Sequence, residues 1–150
     1  MSTTPEELSR TTAQAIQALT AGRRATVLLA EDDRSLRRYL EVILRREGYA
    51  VVTAADGLEA MKAALSSTFD AVVTDAVMPH LSGHELCRFL RSHPALARLP
   101  VVLLSGSEKT RAEGAGDAKA EADAYLSKPL RPEELTNCLT KLLARSGQTL

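Results

Sequence analysis

Much that would mark a disulfide scaffold, a membrane protein or a nucleic-acid binder is missing from this chain, and each absence closes off a class of function. The two cysteines, Cys87 and Cys138, form no CxxC pair and no Cys/His metal spacing. Both read as reduced, partly buried small hydrophobes rather than as metal ligands or disulfide partners. No apolar stretch approaches the ~18 residues that span a bilayer. The opening residues, Met1-Ser2-Thr3-Thr4-Pro5-Glu6-Glu7, lack the basic-then-apolar order of a secretion signal. Charge of one sign is also missing, because 19 basic and 19 acidic side chains cancel. That balance excludes the one-sided basic field of a nucleic-acid binder. There is no internal repeat beyond a strand–helix alternation, and no low-complexity tract. These absences predict a soluble cytoplasmic protein that touches neither membrane nor nucleic acid directly.

What is present suits a globular domain. The 150 residues are 45% hydrophobic and 25% charged, enough for one domain with a real core and room for one appended element. Short runs rich in Val, Leu and Ala fall at about 26–30, 49–54, 70–74, 100–105 and 123–127. They are continuous rather than alternating, as expected of parallel strands covered on both faces. Helical periodicity fills the gaps. Leu36, Tyr39, Leu40, Ile43 and Leu44 make one apolar stripe. Asp56-Gly57-Leu58-Glu59 and Ser82-Gly83-His84-Glu85 read as capping boxes opening the second and third helices. Arg131-Pro132-Glu133-Glu134 opens the fifth, with proline in the first turn where its missing N–H costs little. Leu135, Leu139, Leu142 and Leu143 supply that helix's buried face. The fourth helical segment, between Ser107 and Asp123, contains Gly114 and Gly116; at about 1 kcal/mol each relative to alanine, they predict a short or interrupted helix.

Residues 1–24 stand apart as an N-terminal extension. Thr4-Pro5-Glu6-Glu7 is a further capping box, and Leu8, Ala15, Ile16 and Leu19 give a narrow apolar face. It reads as a helix packed on the domain or on a second copy, or as a mobile tether; helices this short are marginal alone, which favours packing. The main domain is expected over 25–145, with a tail at 146–150.

Strands alternating with helices predict a doubly wound parallel α/β sheet with right-handed crossovers, and a ligand site beyond the carboxyl ends of its strands. The residues at those ends carry the chemistry. The first strand runs into Glu31-Asp32-Asp33, the third into Asp75, the fourth into Ser105 and the fifth into Lys128-Pro129. Carboxylates ~4 Å apart repel by roughly 4 kcal/mol at an effective dielectric near 20. Glu31, Asp32 and Asp75 therefore call for a divalent cation, and Mg²⁺ suits all-oxygen ligands that include one or two carboxylates. A plainer reading keeps Glu31-Asp32-Asp33 as a solvated turn capping the first helix, and Asp33 fits that role in either case. Asp75 could serve as a nucleophile toward a phosphoryl group, with Lys128 as a second positive point and Ser105 as a hydrogen-bond donor to the modified oxygen. A glycine-rich phosphate loop is absent after the first strand, so nucleotide binding is excluded.

Together, Leu28-Leu29-Ala30-Glu31-Asp32-Asp33, Asp75-Ala76-Val77-Met78-Pro79, Leu104-Ser105-Gly106 and Tyr125-Leu126-Ser127-Lys128-Pro129 resemble a CheY-like response-regulator receiver domain over about residues 25–145. The resemblance implies a flavodoxin-like (βα)5 sheet of order 2-1-3-4-5, here with an extra N-terminal helix. It implies that Asp75 is the phosphoacceptor and that Glu31, Asp32, Asp75 and the Val77 carbonyl hold Mg²⁺. It implies that Lys128 binds phosphate beside a cis bond to Pro129, and that Ser105 and Tyr125 are the switch residues. Phosphorylation would then repack the face made by the fourth helix, fifth strand and fifth helix. The implied partners are a sensor histidine kinase or histidine phosphotransfer protein upstream and a protein effector downstream. A homodimer through the N-terminal helix or the switch face is also open. Val77 and Ser107 lie where the family tunes dephosphorylation. The short stretch after the fifth helix leads to the expectation of a stand-alone receiver without DNA-binding output, catalysing only its own phosphorylation and dephosphorylation. Two alternatives stand beside this. A haloacid-dehalogenase-like phosphatase would need an aspartate where Val77 stands. A receiver-shaped scaffold without phosphorylation would be expected to lack one of the five key side chains, and none is missing.

Overall fold

The computed structural model describes residues 24–106 and 122–147. The expectations for an N-terminal helix, for the glycine-interrupted fourth helix and for Ser107 lie outside the described residues. Among the described residues nine elements follow one another: β1 Thr26–Ala30, α1 Arg34–Arg46, β2 Ala50–Ala54, α2 Gly57–Ser66, β3 Ala71–Asp75, α3 Gly83–Ser92, β4 Val101–Ser105, β5 Ala124–Ser127 and α4 Pro132–Gly147. The five strands form one sheet in the order β2-β1-β3-β4-β5, and every pairing is parallel. This is the flavodoxin-like order expected from the sequence. Helix α4 runs on to Gly147, into the stretch expected to be tail.

The continuous apolar runs split between two cores because successive strand side chains point to opposite faces. Leu28, Val72, Val101 and Leu103 pack with Ala60 and Ala64 of α2 and Leu86 and Leu90 of α3. Val27, Leu29, Val73, Val102 and Leu104 pack with Leu40 and Leu44 of α1 and Leu135, Leu139 and Leu142 of α4. Each fully buried leucine contributes roughly 1.5–3 kcal/mol of transfer free energy. Burial is complete along β3 and β4. The expectation that all five strands are covered on both faces needs correction at one sheet edge: Val52 of β2 is exposed, while β5 is half-buried, with Tyr125 packed on one core and Ala124 and Leu126 on the other. An edge strand has a neighbour on one side, so the helices cover it less completely. Tyr39 is a second correction, 46% exposed at the rim of the α1 stripe, where a phenol can keep its hydroxyl wet.

Local chemistry sets the helix ends. Asp33 caps α1 by accepting from the Leu36 amide at 2.9 Å. Asp56 caps α2 through the Glu59 amide at 2.7 Å, and Ser82 caps α3 through the Glu85 amide at 3.1 Å. Helix α1 stops at Gly48, whose φ of 95° suits a residue without Cβ. There the Gly48 amide donates to Arg45 O and the Tyr49 amide to Leu44 O, the paired bonds of a Schellman ending. Among the described helices, none is long and apolar enough to cross a membrane.

Gly83 opens α3 directly against the end of β3. A Cβ built there would lie 2.1 Å from the Asp75 carbonyl oxygen, a backbone atom that cannot swing away. Gly83→Ala should therefore destabilise the protein by about 1–3 kcal/mol, the usual cost of overpacking, despite the better helix propensity of alanine. Urea denaturation checks this; an unchanged midpoint would show that α3 is free to slide off the strand end.

Candidate functional site

Parallel pairing brings the carboxyl ends of β1, β3, β4 and β5 to one mouth. Ala30 pairs with Thr74, Asp75 with Leu104 and Ser105 with Ser127. The residues that follow or close these strands are thereby placed by the sheet. Asp75 is the last residue of β3 rather than the first beyond it, so ladder bonds hold its backbone. The Glu31 amide is tied to Ala54 O at 3.1 Å. The Arg37 guanidinium reaches back from α1 to the Glu31 carbonyl at 2.9 Å and the Asp32 carbonyl at 3.5 Å, which fixes the acidic turn. Within the acidic run the roles divide: Glu31 and Asp32 turn into the mouth, while Asp33 is the α1 cap.

Glu31, Asp32 and Asp75 each offer an oxygen within 4.8 Å of the others. Glu31 is 1% exposed and Asp75 6% exposed, whereas Asp32 faces solvent. Lys128 places its Nζ 3.1 Å from an Asp75 carboxylate oxygen and 3.3 Å from Glu31 Oε2. Its bond to Pro129 is cis, and its amide donates to Ser105 O at 2.8 Å. The site is thus three acids around one ammonium.

The imbalance shows in the protonation of Glu31. Burial first, and the Asp75 charge second, push its pKa from 4.5 up to about 7, against the opposing pull of Lys128. For Lys128, burial alone would lower the pKa, but the hydrogen bond and charge of Asp75, reinforced by Glu31, hold it above its ordinary value. A buried acid that keeps a proton near neutrality, beside a second acid, suits a hard divalent cation. The donor set, three carboxylates at a solvent-facing mouth, fits Mg²⁺.

The other expected residues surround this cluster. Ser105 is buried at the end of β4. Tyr125, on β5, is half-buried and packs against the α2/α3 core. Val77 is 62% exposed in the loop after Asp75, so its side chain offers the site no acid or base. Three features went unread in the sequence: the Arg37 brace, the close approach of Gly83 to Asp75, and a contact between His80 and Asp56. For Arg37 the spacing from Glu31 could have suggested a first-turn arginine folding back. The His80 contact spans two loops and leaves no local signal.

Residues 27–140 match the family model described as the response regulator receiver domain. Transcriptional regulatory protein ResD of Bacillus subtilis is 34% identical over 125 residues, covering 82% of this chain and 50% of that protein. The chain therefore spans about half the length of such curated relatives. A putative response regulator from Chloroflexus aurantiacus J-10-fl superposes with a TM-score of 0.75 at 35% identity, covering 81% of this chain and 99% of that one. The receiver domain of sensor histidine kinase PA1611 from Pseudomonas aeruginosa PAO1 gives a TM-score of 0.73 at 28% identity, covering 81% and 98% of the two chains. That structure holds a magnesium ion coordinated in its active-site cleft. Sheet order, acidic mouth and family match converge: the chain belongs to the response-regulator receiver domains, the phosphorylation switches of two-component signalling.

Proposed function

We propose that residues 25–145 act in the cytoplasm as a receiver that accepts a phosphoryl group on Asp75 from a histidine kinase or histidine phosphotransfer protein. The observation that carries the reading is the Lys128 ammonium 3.1 Å from the Asp75 carboxylate, in a mouth that also gathers Glu31 and Asp32. Glu31, Asp32, Asp75 and the Val77 carbonyl would hold Mg²⁺, which supplies charge neutralisation to the phosphoryl oxygens. Asp75 forms the new P–O bond as the P–N bond to the donor imidazole breaks, and the imidazole nitrogen keeps the electron pair. Lys128 draws a phosphoryl oxygen toward its ammonium, and the Ser105 hydroxyl donates to another. Water later cleaves the acyl phosphate and restores the carboxylate.

The added charge is read out when Ser105 moves toward the phosphoryl group and Tyr125 turns inward. That motion alters the face formed by β5 and α4, where a protein effector docks. The balance of 19 basic and 19 acidic side chains supports docking to a protein, or onward phosphotransfer, over direct contact with DNA. ResD, of which this chain matches half the length, is named as a transcriptional regulatory protein. Turnover of external phosphomonoesters is disfavoured, since the apolar Val77 stands where a dehalogenase-type acid/base would be.

Acetyl phosphate with Mg²⁺ should label the wild type once and leave Asp75→Ala unlabelled by intact-protein mass spectrometry. Lys128→Ala should slow labelling by about a hundredfold, the scale for removing one preorganised charge-stabilising donor. Labelling of Asp75→Ala at the wild-type rate would end the assignment.

The protonation of Glu31 gives a second prediction. Its pKa is raised on folding from 4.5 to about 7. In the metal-free protein, its contribution to stability is therefore complete below its ordinary value and lost as pH rises through about 7. Mg²⁺ works in the opposite sense, because it competes with that proton. The rise in melting temperature caused by a fixed Mg²⁺ concentration should be larger at about pH 8 than at about pH 6. Equal increments at both would remove Glu31 from the cation site.

A further inference from the structure

The loop after the acceptor is bent through a strained turn that a contact from another loop holds in place. Leu81 donates its amide to Pro79 O at 2.8 Å, closing a three-residue turn around His80. His80 has φ 70°, the hand of the rarer and more strained γ-turn. A residue other than glycine keeps such a backbone only where its surroundings over-determine it, and such residues cluster at functional sites. Here the surroundings come from α2. His80 Nδ1 lies 2.9 Å from Asp56 Oδ2, while Asp56 Oδ1 accepts the Glu59 amide at 2.7 Å. The bond to Glu59, and then the one to His80, hold the Asp56 carboxyl below its ordinary pKa, so it is ionised and acts as an acceptor. Nδ1 is therefore the protonated nitrogen. Beneath this pair, a Cβ on Gly57 would meet Leu81 O at 1.9 Å: the first turn of α2 sits directly on the end of the bent loop.

We propose that His80, held by Asp56, is a positioning residue for phosphoryl transfer at Asp75. The bond fixes the loop from Ala76 to Ser82 against α2, and so fixes the Val77 carbonyl beside the acidic cluster. The loop is otherwise anchored at its ends, where Ala76 donates to Leu104 O and Gly83 to Ala76 O, and by buried Met78. Val77 lies between the anchors Ala76 and Met78, three residues before His80 in the same loop. Loss of the Asp56 contact leaves the strained turn free to relax, and the carbonyl moves with it. The inference rests on the proposed role of Asp75 and of the Val77 carbonyl.

Three variants separate backbone geometry from the side-chain bond. His80→Gly accepts φ 70° without strain but has no donor for Asp56. His80→Asn tolerates the same backbone and restores an N–H donor. Asp56→Ala removes the acceptor. Labelling rates with acetyl phosphate, Mg²⁺ affinity by calorimetry and melting temperatures are measured for each. His80→Gly should label about tenfold more slowly and bind Mg²⁺ more weakly, given that ~1 Å misplacement can cost about a hundredfold. His80→Asn should stay near wild type. Asp56→Ala should match His80→Gly in rate while melting lower, because it also loses the α2 cap. A His80→Gly protein that labels and binds Mg²⁺ like the wild type overturns the proposal, as does an Asn variant no better than Gly. A wild type that does not label at all overturns instead the assignment of Asp75.

Discussion

Two buried carboxyl groups sharing one ammonium, with a third acid beside them, set the terms for the rest of this protein. Glu31 and Asp75 are both buried, and like charges repel more strongly where water is excluded. Lys128, 3.1 Å from one and 3.3 Å from the other, offsets part of that repulsion. The proton that Glu31 retains near neutrality records the cost of burying it first, and the repulsion left over second. Such a site favours any added positive charge and resists loss of the lysine. On the proposed reading one imbalance serves two captures. The cation relieves the acids, and cation and ammonium together then receive the negative charge that a phosphoryl group brings.

The sheet makes so unfavourable a cluster tolerable by fixing where each charge sits. Asp75 is paired with Leu104, and the residues beneath it send side chains into two separate cores. Moving the acid would mean breaking ladder bonds and unpacking both faces. The loop from Ala76 to Ser82 has no ladder of its own, so its geometry needs other devices. Gly83 lets α3 approach the Asp75 carbonyl, Met78 is buried, and His80 is held by the α2 cap. Atoms held by strands and atoms held by loops meet in one site, and the second kind require the added positioning contacts.

That division also explains what could be read in the sequence. Strand-end residues were legible because a continuous apolar run announces both a buried strand and where it stops; Glu31, Asp75, Ser105 and Lys128 all follow from that signal. The strand order came from resemblance, since apolar runs alone do not say which strands are neighbours. Caps at Asp33, Asp56 and Ser82 were legible from residue type and spacing. Tyr39 was misplaced because periodicity marks the angle of a side chain but not the width of the groove that receives the helix. The exposed Val52 of β2 was missed because Val is written alike into edge and central strands. The His80–Asp56 bond was out of reach, as it joins residues 24 positions apart through loops whose path the sequence does not state.

Uneven burial then decides where a charge change at Asp75 can be relieved. Every residue of β3 and β4 is buried, so neither strand can shift without opening a core that is close-packed on both sides. β5 has no buried residue, yet it leads directly to Lys128, whose amide is bonded to Ser105 O. Tyr125, half-buried on that strand, packs against the core between the sheet and helices α2 and α3. If Lys128 and Ser105 are drawn toward a phosphoryl group, the strain passes into the element least able to resist it. On the proposed reading, rigid strands beside a looser edge would turn a local electrostatic event into a change at the surface on the β5 side of the sheet.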